Sequence, residues 1–207
     1  VALKAGQTVE SMNNKLYISR PGVHVIETDG NLSFQFIQAF KAGTFLKAYK
    51  NYMFSANDEN ETQARLYWSA LKTPATWPAS NFIDINPQDG YPITGLWNDG
   101  TDLVIFKQKR IYKLSGDIFD PANPTYTVSE IPAPENATFV FIKTLRQFEN
   151  TFIAFAQTGL YAYNGNGFPR LPFSIKDQIT WDSITAISNP RTAMSGGEGV
   201  VYKGRYW

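Results

Sequence analysis

Short apolar runs alternate with polar turns along most of this chain, and the runs come in pairs. Runs rich in β-branched and aromatic residues, separated by turn residues, are typical of β-hairpins. Three of the four second arms also carry Tyr or Trp. The complete pairs are residues 16–18 with 23–26, 52–54 with 66–68, 103–106 with 111–114, and 152–155 with 160–163. The pattern therefore predicts four antiparallel hairpins.

The hairpins recur at a nearly constant interval. Their first arms begin at residues 16, 52, 103 and 152, and another arm begins at residue 200, so that the last three intervals are 51, 49 and 48 residues. A period of about 40–50 residues is typical of four-stranded propeller blades. We therefore predict an all-β, propeller-like array of four-stranded antiparallel blades, at residues 1–38, 39–86, 87–131 and 132–180, with a partial blade at 181–207. An all-β sandwich with evenly spaced hairpins is the alternative.

Prolines and tryptophans refine this prediction. The Pro-rich segments 73–78 and 121–124 cannot continue a central strand, so they predict crossings between blades. Trp68, Trp77 and Trp97 lie in or beside the second blade and its link to the third, where we expect packing between blades. Residues 200–207 supply one arm and half of another, so we expect a fragment of a larger propeller, completed by further chain or by a neighbour's strand.

Composition removes several classes of protein. The 207 residues include 19 Lys and Arg against 18 Asp and Glu, and this balance argues against a general polyanion binder, which needs a basic stripe. The absence of cysteine excludes disulfides, thiolate metal sites and Cys nucleophiles. No apolar run is long enough for a transmembrane helix. Charged residues make up only 18% and aromatic residues 15%, which favours a β-rich protein with surfaces for protein contact.

Candidate catalytic and metal-binding residues are few. His24 is the only histidine and no Gly-x-Ser-x-Gly motif accompanies it, so we interpret it as a structural or surface residue. The acidic clusters 57–61 and 98–102 lack the alternating ligand spacing of a calcium loop, and Asp99-Gly100 predicts a tight turn instead. We expect no cofactor and no metal.

Four aspartates recur near the hairpins and keep a glycosidase hypothesis open. Glycoside hydrolysis needs two carboxylates whose separation only a structure gives. The motif Ser-x-Asp-x-Gly-x-x-Trp of sialidase-type propellers is absent. The four residues are Asp84, Asp89, Asp102 and Asp117.

The only basic cluster lies in and just after the third hairpin turn. It consists of Lys107, Lys109, Arg110 and Lys113. A solvated turn is the simpler interpretation. The alternative is a contact with phosphates or with an acidic partner, because clustered cations attract such groups.

Residues 65–116 contain a recognisable sequence motif. It reads R-x-Y-x-S, then P-x-x-W and F, then D-G-x-x-I-x-G-L, L-x-x-F-K and I-Y-x-L-x-G. This motif covers about a quarter of the chain. It resembles a motif of β-propeller virion proteins of tailed bacteriophages, of the tail hub, nozzle or DNA-stabilisation type. The resemblance implies a non-enzymatic structural role in the tail or neck of a virion, with no catalytic residue and no membrane.

The same resemblance implies the partners. They are copies of this chain in a symmetric ring and other tail or portal-proximal proteins, with non-specific contact to double-stranded DNA passing through the ring. Two other hypotheses stay open from the residues alone. One is a propeller interaction module that binds a protein or a glycan, and the other is a propeller glycosidase.

Overall fold

The computed structural model describes residues 8–20, 24–31, 33–37, 43–58, 61–117, 119–120, 122–132, 146–148, 151–156, 159–165, 167–169, 201–202 and 205–206. This part of the chain forms β-strands and one 3-10 turn, Pro87–Asp89. The strands are β1 Val9–Met12, β2 Lys15–Arg20, β3 His24–Thr28, β4 Phe34–Ile37, β5 Phe45–Tyr49, β6 Tyr52–Ala56, β7 Arg65–Trp68, β8 Phe82–Asp84, β9 Ile93–Asn98, β10 Leu103–Lys107, β11 Ile111–Ser115, β12 Thr127–Ile131, β13 Arg146–Phe148, β14 Thr151–Ala156, β15 Gly159–Tyr163, β16 Val201–Tyr202 and β17 Arg205–Tyr206. Within the described residues, no helix is long and apolar enough to cross a membrane.

The strands form successive antiparallel sheets in chain order. Strands β1–β4 form blade 1, β5–β8 blade 2 and β9–β12 blade 3, each with its strands adjacent in sequence order. Strands β13–β15 form a three-stranded sheet, and β16 pairs with β17. The predicted class, an all-β propeller-like array of four-stranded antiparallel blades, is confirmed.

The chain divides into two compact units. The first comprises Val1–Lys107 and Ile111–Glu130 and contains blades 1 and 2 and most of blade 3. The second comprises Gln108–Arg110 and Ile131–Trp207 and contains the sheet of β13–β15 and the β16–β17 hairpin. Most of the side chains described lie in the first unit, and the site is built from them.

All four predicted hairpins are paired. Ile18 lies opposite Ile26, Phe54 opposite Trp68, and Phe155 opposite Leu160. In the third hairpin, residues 103–106 pair one by one with residues 114–111. The alternating apolar arms therefore predicted the strand partners as well as the strands.

Tight turns with positive backbone φ join the first two strands of the first two blades. Asn13 and Asn14 have φ of 53° and 61°, and Lys50 and Asn51 have φ of 45° and 63°. Two consecutive residues with positive φ match the twist of a two-residue hairpin, and Asn tolerates this region better than most residues. The acidic cluster 98–102 forms the corresponding turn of blade 3, in which the Asp99 carboxylate accepts two backbone N–H groups at 2.9 and 2.6 Å.

Blades 1 and 2 pack through buried apolar side chains. One face of blade 1 and the adjoining face of blade 2 form a continuous core, against which Trp77 is also packed. Its buried members are Met12, Tyr17, Val25 and Ile37 from blade 1 and Leu46 and Met53 from blade 2. The position of Trp77 between blades agrees with the prediction from the sequence.

Aromatic residues fill the space between blades 2 and 3. Phe119, in the link from β11 to β12, lies 5.1 to 6.1 Å from four rings of blade 2 and stacks on Tyr126. The Trp68 indole is fully buried and donates a hydrogen bond of 2.9 Å to the Phe119 carbonyl oxygen. Trp97 is half-buried beneath the Lys47 ammonium, which lies 5.3 Å from its ring. The four blade 2 rings are those of Tyr49, Tyr52, Phe54 and Trp68.

Candidate interaction surfaces

One face of blade 1 carries four exposed apolar side chains. The pairing register places Val9, Ile18, Ile26 and Phe36 directly opposite one another in a row across the four strands. Side chains opposite each other in antiparallel strands share a face, as do residues two apart in one strand. Leu16 and Phe34 therefore lie on the same face, one row away. Ile26 is buried and Ile18 half-buried at the centre of this row, whereas the other four side chains are exposed. We call Val9, Leu16, Phe34 and Phe36 the exposed face of blade 1.

The exposure of this face is unusual for large apolar side chains. Phe34 and Phe36 are 55% and 54% exposed, and Val9 and Leu16 are 48% and 42% exposed. Among the side chains of this face that the structure describes, none is charged. Clustered apolar groups at a surface mark a site of protein contact more often than isolated ones do. The opposite face of the same sheet is the one buried against blade 2.

A third exposed aromatic residue, Phe82, belongs to a polar cluster at the outer edge of blade 2. The Arg65 guanidinium lies 4.1 Å from the Phe82 ring centroid and donates two hydrogen bonds to Asp84, at 2.6 and 2.9 Å. This ion pair holds the pKa of Asp84 below its ordinary value. The cluster therefore fixes the short outer strand β8 to β7 rather than presenting a free charge.

The predicted basic cluster divides into buried and exposed members. Lys107 is fully buried, and its ammonium donates hydrogen bonds to the carbonyl oxygens of Ile85 (2.7 Å) and Asn86 (2.9 Å) and to Asp89 (2.5 Å). An ammonium with three internal acceptors has no donor left for a partner. The expectation that Lys107 contacts a partner was therefore wrong.

A break in the strand register explains the burial of Lys107. Strand β10 pairs regularly with β9 as far as Phe106, and the register then shifts between Phe106 and Lys107. A β-bulge re-aims the side chain beside it. Here the side chain lies against the 3-10 turn Pro87–Asp89 rather than in the hairpin turn.

The other three basic residues remain closer to solvent. Lys109 and Arg110 are exposed in the turn between β10 and β11. Lys113 lies on β11 with its ammonium 3.3 Å from Asp102. A partner contact through Lys109, Arg110 and Lys113 stays a prediction.

All four candidate aspartates form ion pairs. Asp84 pairs with Arg65, Asp89 with Lys107, Asp102 with Lys113 and Asp117 with Lys50. A carboxylate held by a cation is a poor general acid, because the cation stabilises the ionised form. In the described part of the chain, no group of three or more His, Asp or Glu side chains is placed to hold a metal ion. The side chain of His24 lies outside the described residues.

The sequence motif at residues 65–116 contains residues that stabilise the fold. Arg65 and Lys107 form internal ion pairs, and the Tyr112 hydroxyl accepts a hydrogen bond from Asn86 at 2.9 Å. Gly90 and Gly116 have φ of 70° and 129°, a region that L side chains rarely adopt. These residues of the motif therefore have structural roles, and the exposed face of blade 1 lies outside it.

Comparisons with known proteins support the fold alone. No family model and no curated protein matches the chain. The chain is similar to the extracellular domain of a one-component system of B. thetaiotaomicron, with 10% identity and a TM-score of 0.52 over 83% of this chain and 23% of that one. It is also similar to Kluyveromyces lactis Hsv2 with loop 6CD replaced by a Gly-Ser linker, with 10% identity and a TM-score of 0.50 over 84% of this chain and 57% of that one. Hsv2 is a propeller protein, and this chain spans less than two thirds of either structure.

Proposed function

We propose that this chain is a non-enzymatic structural module of propeller type, which works by binding other proteins. The observation that carries the proposal is the exposed face of blade 1. Phe34 and Phe36 are more than half exposed there, beside Val9 and Leu16. Water contact with four large apolar side chains is unfavourable, and binding a protein surface removes it.

The polar side chains support the same proposal. The four aspartates that a hydrolase hypothesis would use are paired with Lys or Arg. A catalytic pair needs one carboxyl group that keeps its proton and one that stays ionised. Of the four, Asp84 has its pKa held below the ordinary value by Arg65. Ion pairs within the fold therefore account for all four side chains, which leaves surface contact as the better supported role.

The finer proposal places this module in the virion of a tailed bacteriophage, in the tail or neck. It rests on the resemblance of residues 65–116 to propeller virion proteins. The partners would then be copies of this chain in a symmetric ring and other tail or portal-proximal proteins. The near-neutral balance of charges suits the wall of a channel that lets double-stranded DNA pass without gripping it.

Native mass spectrometry and electron microscopy of the purified chain test the ring. We expect a symmetric oligomer with a central opening. A monomer that binds immobilised glycans would favour the glycan-binding module instead. Hydrolysis of aryl glycosides by the wild type, lost in a variant of the exposed candidate, Asp117→Asn, would favour the glycosidase.

A charge-reversal variant tests the DNA contact. Arg110→Glu removes an exposed cation from the β10–β11 turn, and Lys72→Glu makes the same charge change at an exposed turn of blade 2. Fluorescence anisotropy with a labelled duplex at low salt measures the affinity. We expect Arg110→Glu to weaken binding more than Lys72→Glu does. Equal effects would show that the basic turn makes no particular contact.

A further inference from the structure

We draw no further inference here: the strongest candidate, the surface patch of exposed apolar side chains on blade 1 formed by Val9, Leu16, Phe34 and Phe36, already carries the proposed function, and nothing in the structure shows what covers it.

Discussion

Replacing Lys107 by methionine tests the internal role that the structure assigns to this residue. Met has a similar length and keeps the apolar stem, but it donates no hydrogen bond. The substitution therefore removes three contacts of 2.5 to 2.9 Å, two to backbone carbonyl oxygens and one to Asp89.

The expected loss follows from what remains in the site. The Asp89 side chain is 8% exposed, and without the ammonium its carboxylate keeps one described donor, the Tyr91 backbone N–H at 2.9 Å. Removing one partner of a buried ion pair costs about 3–5 kcal/mol, because the other charge stays buried without compensation. We therefore expect Lys107→Met to lower the free energy of unfolding by about 3–5 kcal/mol.

Urea denaturation followed by far-ultraviolet circular dichroism measures this loss. The double variant Lys107→Met with Asp89→Asn should recover part of it, because the uncompensated carboxylate is gone. Lys50→Met is the control, since the Asp117 side chain that its ammonium contacts is 85% exposed and stays solvated, so this ion pair should contribute under about 1 kcal/mol. A Lys107→Met loss no greater than that of Lys50→Met would contradict the buried role of Lys107.

Three further predictions concern packing, backbone and pH. Trp68→Ala should cost about 3–5 kcal/mol in urea denaturation, because it empties a fully buried site between blades 2 and 3. Gly116→Ala should lower the melting temperature more than Gly100→Ala: both have positive φ, but a Cβ at Gly116 would lie 2.7 Å from a neighbouring backbone atom, and none lies within 4 Å at Gly100. Because the folded pKa of Asp84 lies below its unfolded value of about 3.9, its stabilisation is present above that pH and lost as pH falls through the folded pKa. Acid denaturation of the wild type should therefore show a larger loss than that of Asp84→Asn.

The hairpins could be predicted from the sequence because their signal is local. Strands β10 and β11 alternate around a short turn, and apolar residues mark both arms. The turn at Asn13-Asn14 is local too, since it needs only residues that tolerate positive φ. Pairing within a blade therefore follows from neighbouring residues.

The role of Lys107 could not be predicted in this way. The residue stands beside three other cations in sequence, which suggests a solvated turn. The oxygen atoms that accept hydrogen bonds from Lys107 belong to residues 85–89, which precede strand β9. The Lys107 side chain lies against these residues at the point where the strand register shifts, directly after Phe106. A bulge depends on how two strands pair and leaves no distinctive local pattern. The one usable signal was the position of Lys107 directly after four buried apolar residues.

The sequence also does not show which face of blade 1 is exposed. Phe34 and Phe36 alternate with Gln35 and predict a strand, but alternation does not tell which face meets blade 2. Ile37, next to Phe36, is buried in the core with blade 2, while Phe36 is 54% exposed. The difference arises only when blades stack, so the exposed face could not be identified from the sequence.

The fold and the proposed function rest on different parts of the chain. In the sequence motif at residues 65–116, Arg65 and Lys107 form ion pairs within the fold, and Gly116 adopts a backbone conformation that leaves no room for a side chain. Propellers with different partners share such structural requirements. A resemblance through these residues is therefore stronger evidence for the fold than for the function. The exposed face of blade 1 meets no requirement of its own blade, because exposing Phe34 and Phe36 contributes nothing to folding. The proposed protein binding would cover these side chains, so variants on this face should separate the proposed function from stability.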